Sequence, residues 1–148
     1  MRGKNIRPQF PGRNVGLMFG FESSLNPFMQ YPAYREIAHL PHDQKYEIMK
    51  DPDFKIKLLN QKPDLKSEID KRLAEPGNTK TREEIEKDAE LLSSLTTNYK
   101  TQFILGTPPN YEPKEEDSIA AISSNKGISE LEVMFLSLIH ISEPTRHA

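Results

Sequence analysis

The sequence predicts an α/β chain that is mostly α-helical, with two short strands. Three observations predict it. Residues 15–21 (VGLMFGF) are an apolar run of strand length between turn-forming residues, the pattern of a strand buried on both faces. Residues 32–100 place apolar side chains at helical spacing between prolines and polar breaks. Residues 101–105 (TQFIL) form a second short apolar run, closed by the proline-rich stretch 106–113.

Upstream of the first strand, Arg7, Gln9 and Arg13 sit in a segment punctuated by Pro8, Pro11 and Gly12. Such a segment can present polar groups beside a buried sheet. Arginine grips carboxylates in a bidentate fork, so these residues are candidate substrate contacts, although from the residues alone surface or interdomain ion pairs are the better account. Gly16 and Gly20 inside a bulky run predict close approach of another backbone, or a bulge. Ser23, Ser24 and Asn26-Pro27 end the run in a turn, with Glu22 as a solvated loop acid.

The middle of the chain reads as short helices. One covers 32–38 and another 41–49; Asp51 then caps a third, with Pro52 at its first position, running to about Gln61. Leu65, Ile69 and Leu73 make a narrow apolar stripe on a fourth, with Lys66, Glu68, Asp70 and Arg72 outside it. After the break at 75–78, Thr81 and Glu84 have capping-box spacing for a helix to about Leu95 that turns Ile85, Ala89 and Leu92 inward. Residues 114–125 predict a helix with Ile119 and Ile122 inward and Gly127 past its end. Ser129 and Glu132 repeat the capping-box spacing before a last helix. His39 and His42 spell HLPH, but Pro41 separates them and no third ligand is apparent nearby. They read as helix-end histidines, and no metal site is assigned.

Four stretches, RPQ at 7–9, GLMFGFESSLNPF at 16–28, YPAYREIAHLP at 31–41 and ILGTPPNYEP at 104–113, together resemble the N-acyl-D-amino-acid deacylase (D-aminoacylase) family of the amidohydrolase superfamily. The resemblance runs through most of the chain. It implies a fragment of a TIM-like (β/α)8 barrel with a helical insertion: a late barrel strand and loop at 1–31, a lid-like insertion at 32–100, and the return strand, loop and barrel helices at 101–135. It also implies a parent enzyme that hydrolyses N-acyl (D-)amino acids or related amides. In such an enzyme zinc activates water and an aspartate shuttles the proton. The metal ligands and that aspartate would lie outside this segment, leaving Arg7, Gln9 and Arg13 as its substrate-binding residues and no catalytic residue. Tyr111, in the return loop, either reaches the site or anchors packing. Met1 aligns with an internal position of the family. Residues 136–148 (LSLIHISEPTRHA) resemble a translated sequencing-library adapter, which would make His140 and His147 irrelevant to any site.

Bulk properties agree with a piece of something larger. The chain has 148 residues, where a complete TIM barrel takes roughly 250. Its hydrophobic content is 35% and its mean hydropathy −0.69, lean for a domain with its own core. A net charge of −2, from 20 basic and 22 acidic residues intermixed, favours neither nucleic acid nor an anionic membrane. With no cysteine there is no disulfide or thiolate ligand. Neither a membrane span nor a signal-peptide core is apparent, and with Met1 at an internal position the second absence says little; the expected compartment is the cytoplasm. The rival expectation is a stand-alone helical interaction module that uses the stripes on 64–73 and 82–95 as a partner groove.

Overall fold

Prolines and side-chain caps decide where the helices begin. The computed structural model describes residues 16–23, 25–106 and 108–141. Helix α1 (Pro32–Ile37) opens on its proline and has no cap of its own; the Ala33 amide donates instead to Gln61 Oε1 at 2.8 Å. Helix α2 (His42–Lys50) starts directly after Pro41. Asp51 Oδ1 accepts from the Phe54 amide at 2.9 Å and so opens α3 (Pro52–Leu59), and Asp64 Oδ1 does the same for Ser67 at 3.0 Å in α4 (Leu65–Ala74).

Helix α5 (Arg82–Thr97) carries the complete capping box: Thr81 Oγ1 accepts from the Glu84 amide at 3.3 Å, and Glu84 Oε2 accepts from the Thr81 amide at 2.8 Å. The Thr81 amide, and after it the Thr81 hydroxyl, hold the Glu84 carboxyl below its usual range; Lys80, by hydrogen bond and charge, does so for Asp88. Both folded values lie below the unfolded ones. The stability linked to them is therefore present above the ordinary carboxylate range of about 4 and is lost as pH falls through the folded values. Thr81→Ala should cost about 0.5–2 kcal/mol at neutral pH, measured by urea titration, and should flatten the acid limb of the stability profile. The backbone amide of residue 81 still holds Glu84 in this variant, so an unchanged midpoint would show only that the Thr81 hydroxyl does not contribute.

The chain then makes two short helices packed on each other, α6 (Ile119–Lys126) and α7 (Glu130–Ile141). Ser118 caps α6, and Gly127 ends it at φ 66°, a left-handed turn that a side chain would strain.

One core joins the first half of the chain to its end. Phe21, Phe28, Tyr31 and Tyr34 from the loop and α1 meet Met49 of α2, Leu58 of α3, Ile119 of α6, and Val133, Met134, Phe135 and Leu138 of α7. Phe28 is completely buried at its centre. Its ring meets Tyr31 and Phe135 edge-on, with centroids 5.8 and 5.9 Å away. A second, smaller core of Ile69, Ile85 and Ala89, with Leu73 against it, holds α4 on α5.

Arg35 and Gln30 tie the two cores together. Arg35 donates to the carbonyls of Met29 and Asp64 at 3.3 and 2.9 Å and lies 3.4 Å from the Glu68 carboxylate. The Gln30 carbonyl accepts from the Asp64 amide at 2.8 Å, while its side chain donates to Ala89 O at 3.5 Å.

The structure corrects the sequence expectation at several places. Among the described residues there is no sheet; the fold is α-helical and no barrel is seen. Residues 16–21 are not a buried strand: Leu17 and Met18 are 55% and 74% exposed, and the Gly20 carbonyl accepts from the Ser23 amide to make a turn. A strand needs a neighbour for its amides and carbonyls, and among the described residues none pairs with it. No atom lies within 4 Å of a Cβ built on Gly16, and only Ser23 Oγ, at 3.5 Å, meets one on Gly20. The anticipated close backbone approach is therefore not made by any of the described residues. The strand expected at 101–105 reduces to one antiparallel bridge, Phe103 with Ser118, after a 3-10 turn at Tyr99–Thr101.

The helix expected from residue 114 begins only at Ile119, because Ser118 caps there; Glu115–Asp117 form a 3-10 turn instead. Ser129 Oγ caps the Glu132 amide at 3.2 Å, but the Glu132 carboxylate turns to Lys55 of α3 at 2.6 Å. Tyr111 anchors no packing; it is 87% exposed. Helix α7 continues through residues 135 and 136, and Leu138 is buried.

Candidate functional site

The most concentrated set of buried polar groups gathers around one backbone carbonyl. The turn at 20–23 brings the Phe21 carbonyl against α1 and α2, where Tyr34 Oη donates to it at 3.2 Å and Lys45 Nζ at 3.3 Å. Asn26 completes the set: its Nδ2 donates to Tyr34 Oη at 3.2 Å, and its Oδ1 accepts from the Phe28 amide at 3.0 Å. Asn26, Tyr34 and Lys45 are all buried. Burial pushes the Tyr34 phenol above its usual range, partly offset by the bond from Asn26, so the hydroxyl stays protonated and available as a donor. Local sequence explains the placement. Asn26-Pro27 makes the turn, the proline at the first position of α1 sets the direction of Tyr34, and Lys45 lies on the buried side of α2 with Tyr46 and Met49.

These groups border a concavity of about 260 Å³ lined by Phe21, Glu22, Ser23, Asn26, Met29, Tyr34, Ala38 and Lys45. Beside its rim, His42 Nδ1 lies 3.6 Å from the Glu22 carboxylate, and its ring stacks on Tyr46 at 6.3 Å. His39 is exposed, so the HLPH pair does not converge. No group of three His, Cys, Asp or Glu side chains able to hold a metal comes together among the described residues. The chemistry this arrangement offers is recognition, through one cation and several hydrogen-bonding groups. A larger hollow of about 370 Å³ at the end of α5 is lined by Ser94, Leu95, Thr97, Asn98 and Thr101. The hydroxyls of Ser94, Thr97 and Thr101 already donate to local carbonyls.

The residues singled out from the sequence, Arg7, Gln9 and Arg13, lie outside the described residues. Asn26, Tyr34 and Lys45 carried no signal of their own in the sequence. The nearest clue is the Asn-Pro turn, which places Asn26 but not its partners.

No protein-family model, curated protein or solved structure matches the chain.

Tyr34→Phe removes the hydroxyl that links Asn26 to the Phe21 carbonyl and leaves the buried Asn26 amide short of an acceptor. The expected loss is about 1–3 kcal/mol in urea unfolding. A change within a few tenths of a kcal/mol would mean that the cluster does not hold the turn.

Proposed function

We propose that the chain is an internal piece of a metal-dependent amidohydrolase that hydrolyses N-acyl (D-)amino acids or related amides, a piece that carries neither the zinc ligands nor the catalytic aspartate. One observation supports this reading most. The two runs expected to be strands, 16–21 and 101–105, leave Leu17, Met18, Phe103, Ile104 and Leu105 between 37% and 74% exposed. They flank the helices at 32–100, as the strands of a barrel flank an insertion. Apolar segments of that kind call for a sheet to pair with. The resemblance carried by residues 7–9, 16–28, 31–41 and 104–113 supplies the reaction class.

On this reading the parent enzyme binds zinc through ligands outside the piece, and the helices contribute a cover over the substrate. Recognition of the substrate carboxylate falls to Arg7, Gln9 and Arg13, and the enzyme is cytoplasmic. No helix among the described residues is long and apolar enough to cross a membrane. A related enzyme acting on another linear or cyclic amide fits the same features, because one fold serves many substrates. Against the rival, a helical interaction module, the stripes on α4 and α5 already face each other: Ile69, Ile85 and Ala89 are buried between them.

A long DNA read across both ends of the reading frame tests the proposal. An HxH motif in frame upstream, and an aspartate-bearing strand continuing after Phe135, are expected; the full gene should then give zinc-dependent deacylase activity, while the purified piece binds no zinc and is inactive. Clear deacylase activity from residues 1–135 alone would overturn it, as would a genuine start at Met1 with a stop soon after Phe135.

A further inference from the structure

We infer that the concavity beside Lys45 is a binding site for a small monocarboxylate. The inference stands apart from the deacylase reading, because it rests only on the groups around Lys45. The side chain reaches the hollow from α2, and the residue is only 8% exposed. An ammonium carries three N–H donors. Among the described residues only the Phe21 carbonyl accepts from it, at 3.3 Å, and no carboxylate comes within ion-pair distance. The Tyr34 ring, 5.8 Å from Nζ, adds a weak cation–π contact. With one neutral carbonyl as its acceptor, the ammonium has N–H donors still free to meet a ligand in the hollow. An anion in the hollow would supply the counter-charge and take up the remaining N–H groups.

The walls select among anions. Met29 and Ala38 present apolar surface, Phe21 and Tyr34 back the hollow from the core with only 2% and 3% of their own surface exposed, and about 260 Å³ leaves room for a short aliphatic chain. Glu22 stands at the rim with its side chain 75% exposed, which disfavours an anion carrying a second charge. Asn26 has committed its amide to Tyr34 Oη and Ser23 O, and Tyr34 its hydroxyl to Phe21 O, so besides Lys45 only the Ser23 hydroxyl in the lining is left to meet a phosphate's several oxygens. One carboxylate on a short apolar body meets these conditions.

The test is a titration of the full chain with sodium butyrate at constant ionic strength and pH 7, following the backbone amide resonances of Phe21, Glu22 and Lys45. Saturable shifts are expected, with inorganic phosphate unable to displace butyrate. Lys45→Met keeps the length and apolar stem of the side chain and should weaken binding about tenfold or more, the scale of one lost charge-assisted hydrogen bond. Should that variant fail to fold, Glu22→Gln at the exposed rim gives an independent reading: butyrate should bind about two- to threefold more tightly and phosphate should begin to compete. Absence of saturable shifts, wild-type affinity in Lys45→Met, or unchanged selectivity in Glu22→Gln would overturn the site.

Discussion

Phe28→Ala is expected to lower the unfolding free energy by about 3–5 kcal/mol, the range for removing a fully buried phenyl ring. The side chain has no exposed surface, and its ring lies within 6.4 Å of the rings of Phe21, Tyr31, Tyr34 and Phe135. Those partners come from both ends of the described chain. Deletion therefore opens a cavity at the place where the loop at 20–31 meets α7, and the α1 and α7 walls cannot both move in to fill it. Small domains are stable by about 5–15 kcal/mol, so the variant should lose between about a fifth and all of that stability. Urea titration followed by far-UV circular dichroism measures it. A loss below about 1 kcal/mol would mean that Phe28 does not link the two ends.

Leu138→Ala is the second large effect, with an expected loss of about 2–5 kcal/mol. Leu138 is only 2% exposed and packs in the main core with Val133, Met134 and Phe135 on the same helix. The position is informative because residues 136–148 resemble a translated adapter, and a foreign extension would contribute nothing to a core made before it. The same urea titration separates the cases. A loss of several kcal/mol shows that α7 is used through Leu138 in this chain, whatever its origin; a loss near zero shows that the core closes without it.

How far the helices were legible follows from where their signals reside. Asp51, Asp64, Thr81 and Ser118 cap through their own side chains onto amides three residues on. Such bonds are written into a few adjacent residues, and Asp51 and Thr81 were read from them; Ser118 was not, and its helix was expected to begin too early, at residue 114. Ile85 and Ala89 were expected inside and are buried, for the same reason of helical spacing. The two strands were misjudged because an apolar run states what should be covered but not by what. Leu17 and Met18 are as apolar as any strand, and with no paired neighbour among the described residues their segment is irregular.

The candidate site was still less legible. Lys45 reads as one of many helix-surface lysines, and only the arrival of the 20–23 turn against α2 buries it and gives it the Phe21 carbonyl. Gln61 capping α1 and Glu132 joining Lys55 are of the same kind, partners 28 and 77 residues apart in the chain. By itself the sequence determined most helix starts, though not that of α6, the left-handed stop at Gly127 and inward residues such as Ile69, Ile85, Ala89 and Ile119, because these depend on backbone geometry and spacing within a turn or two. Only the tertiary structure decided which faces meet, that α4 and α5 cover each other, and that Asn26, Tyr34 and Lys45 converge on one carbonyl. Those outcomes depend on contacts between distant segments, and no local pattern encodes them.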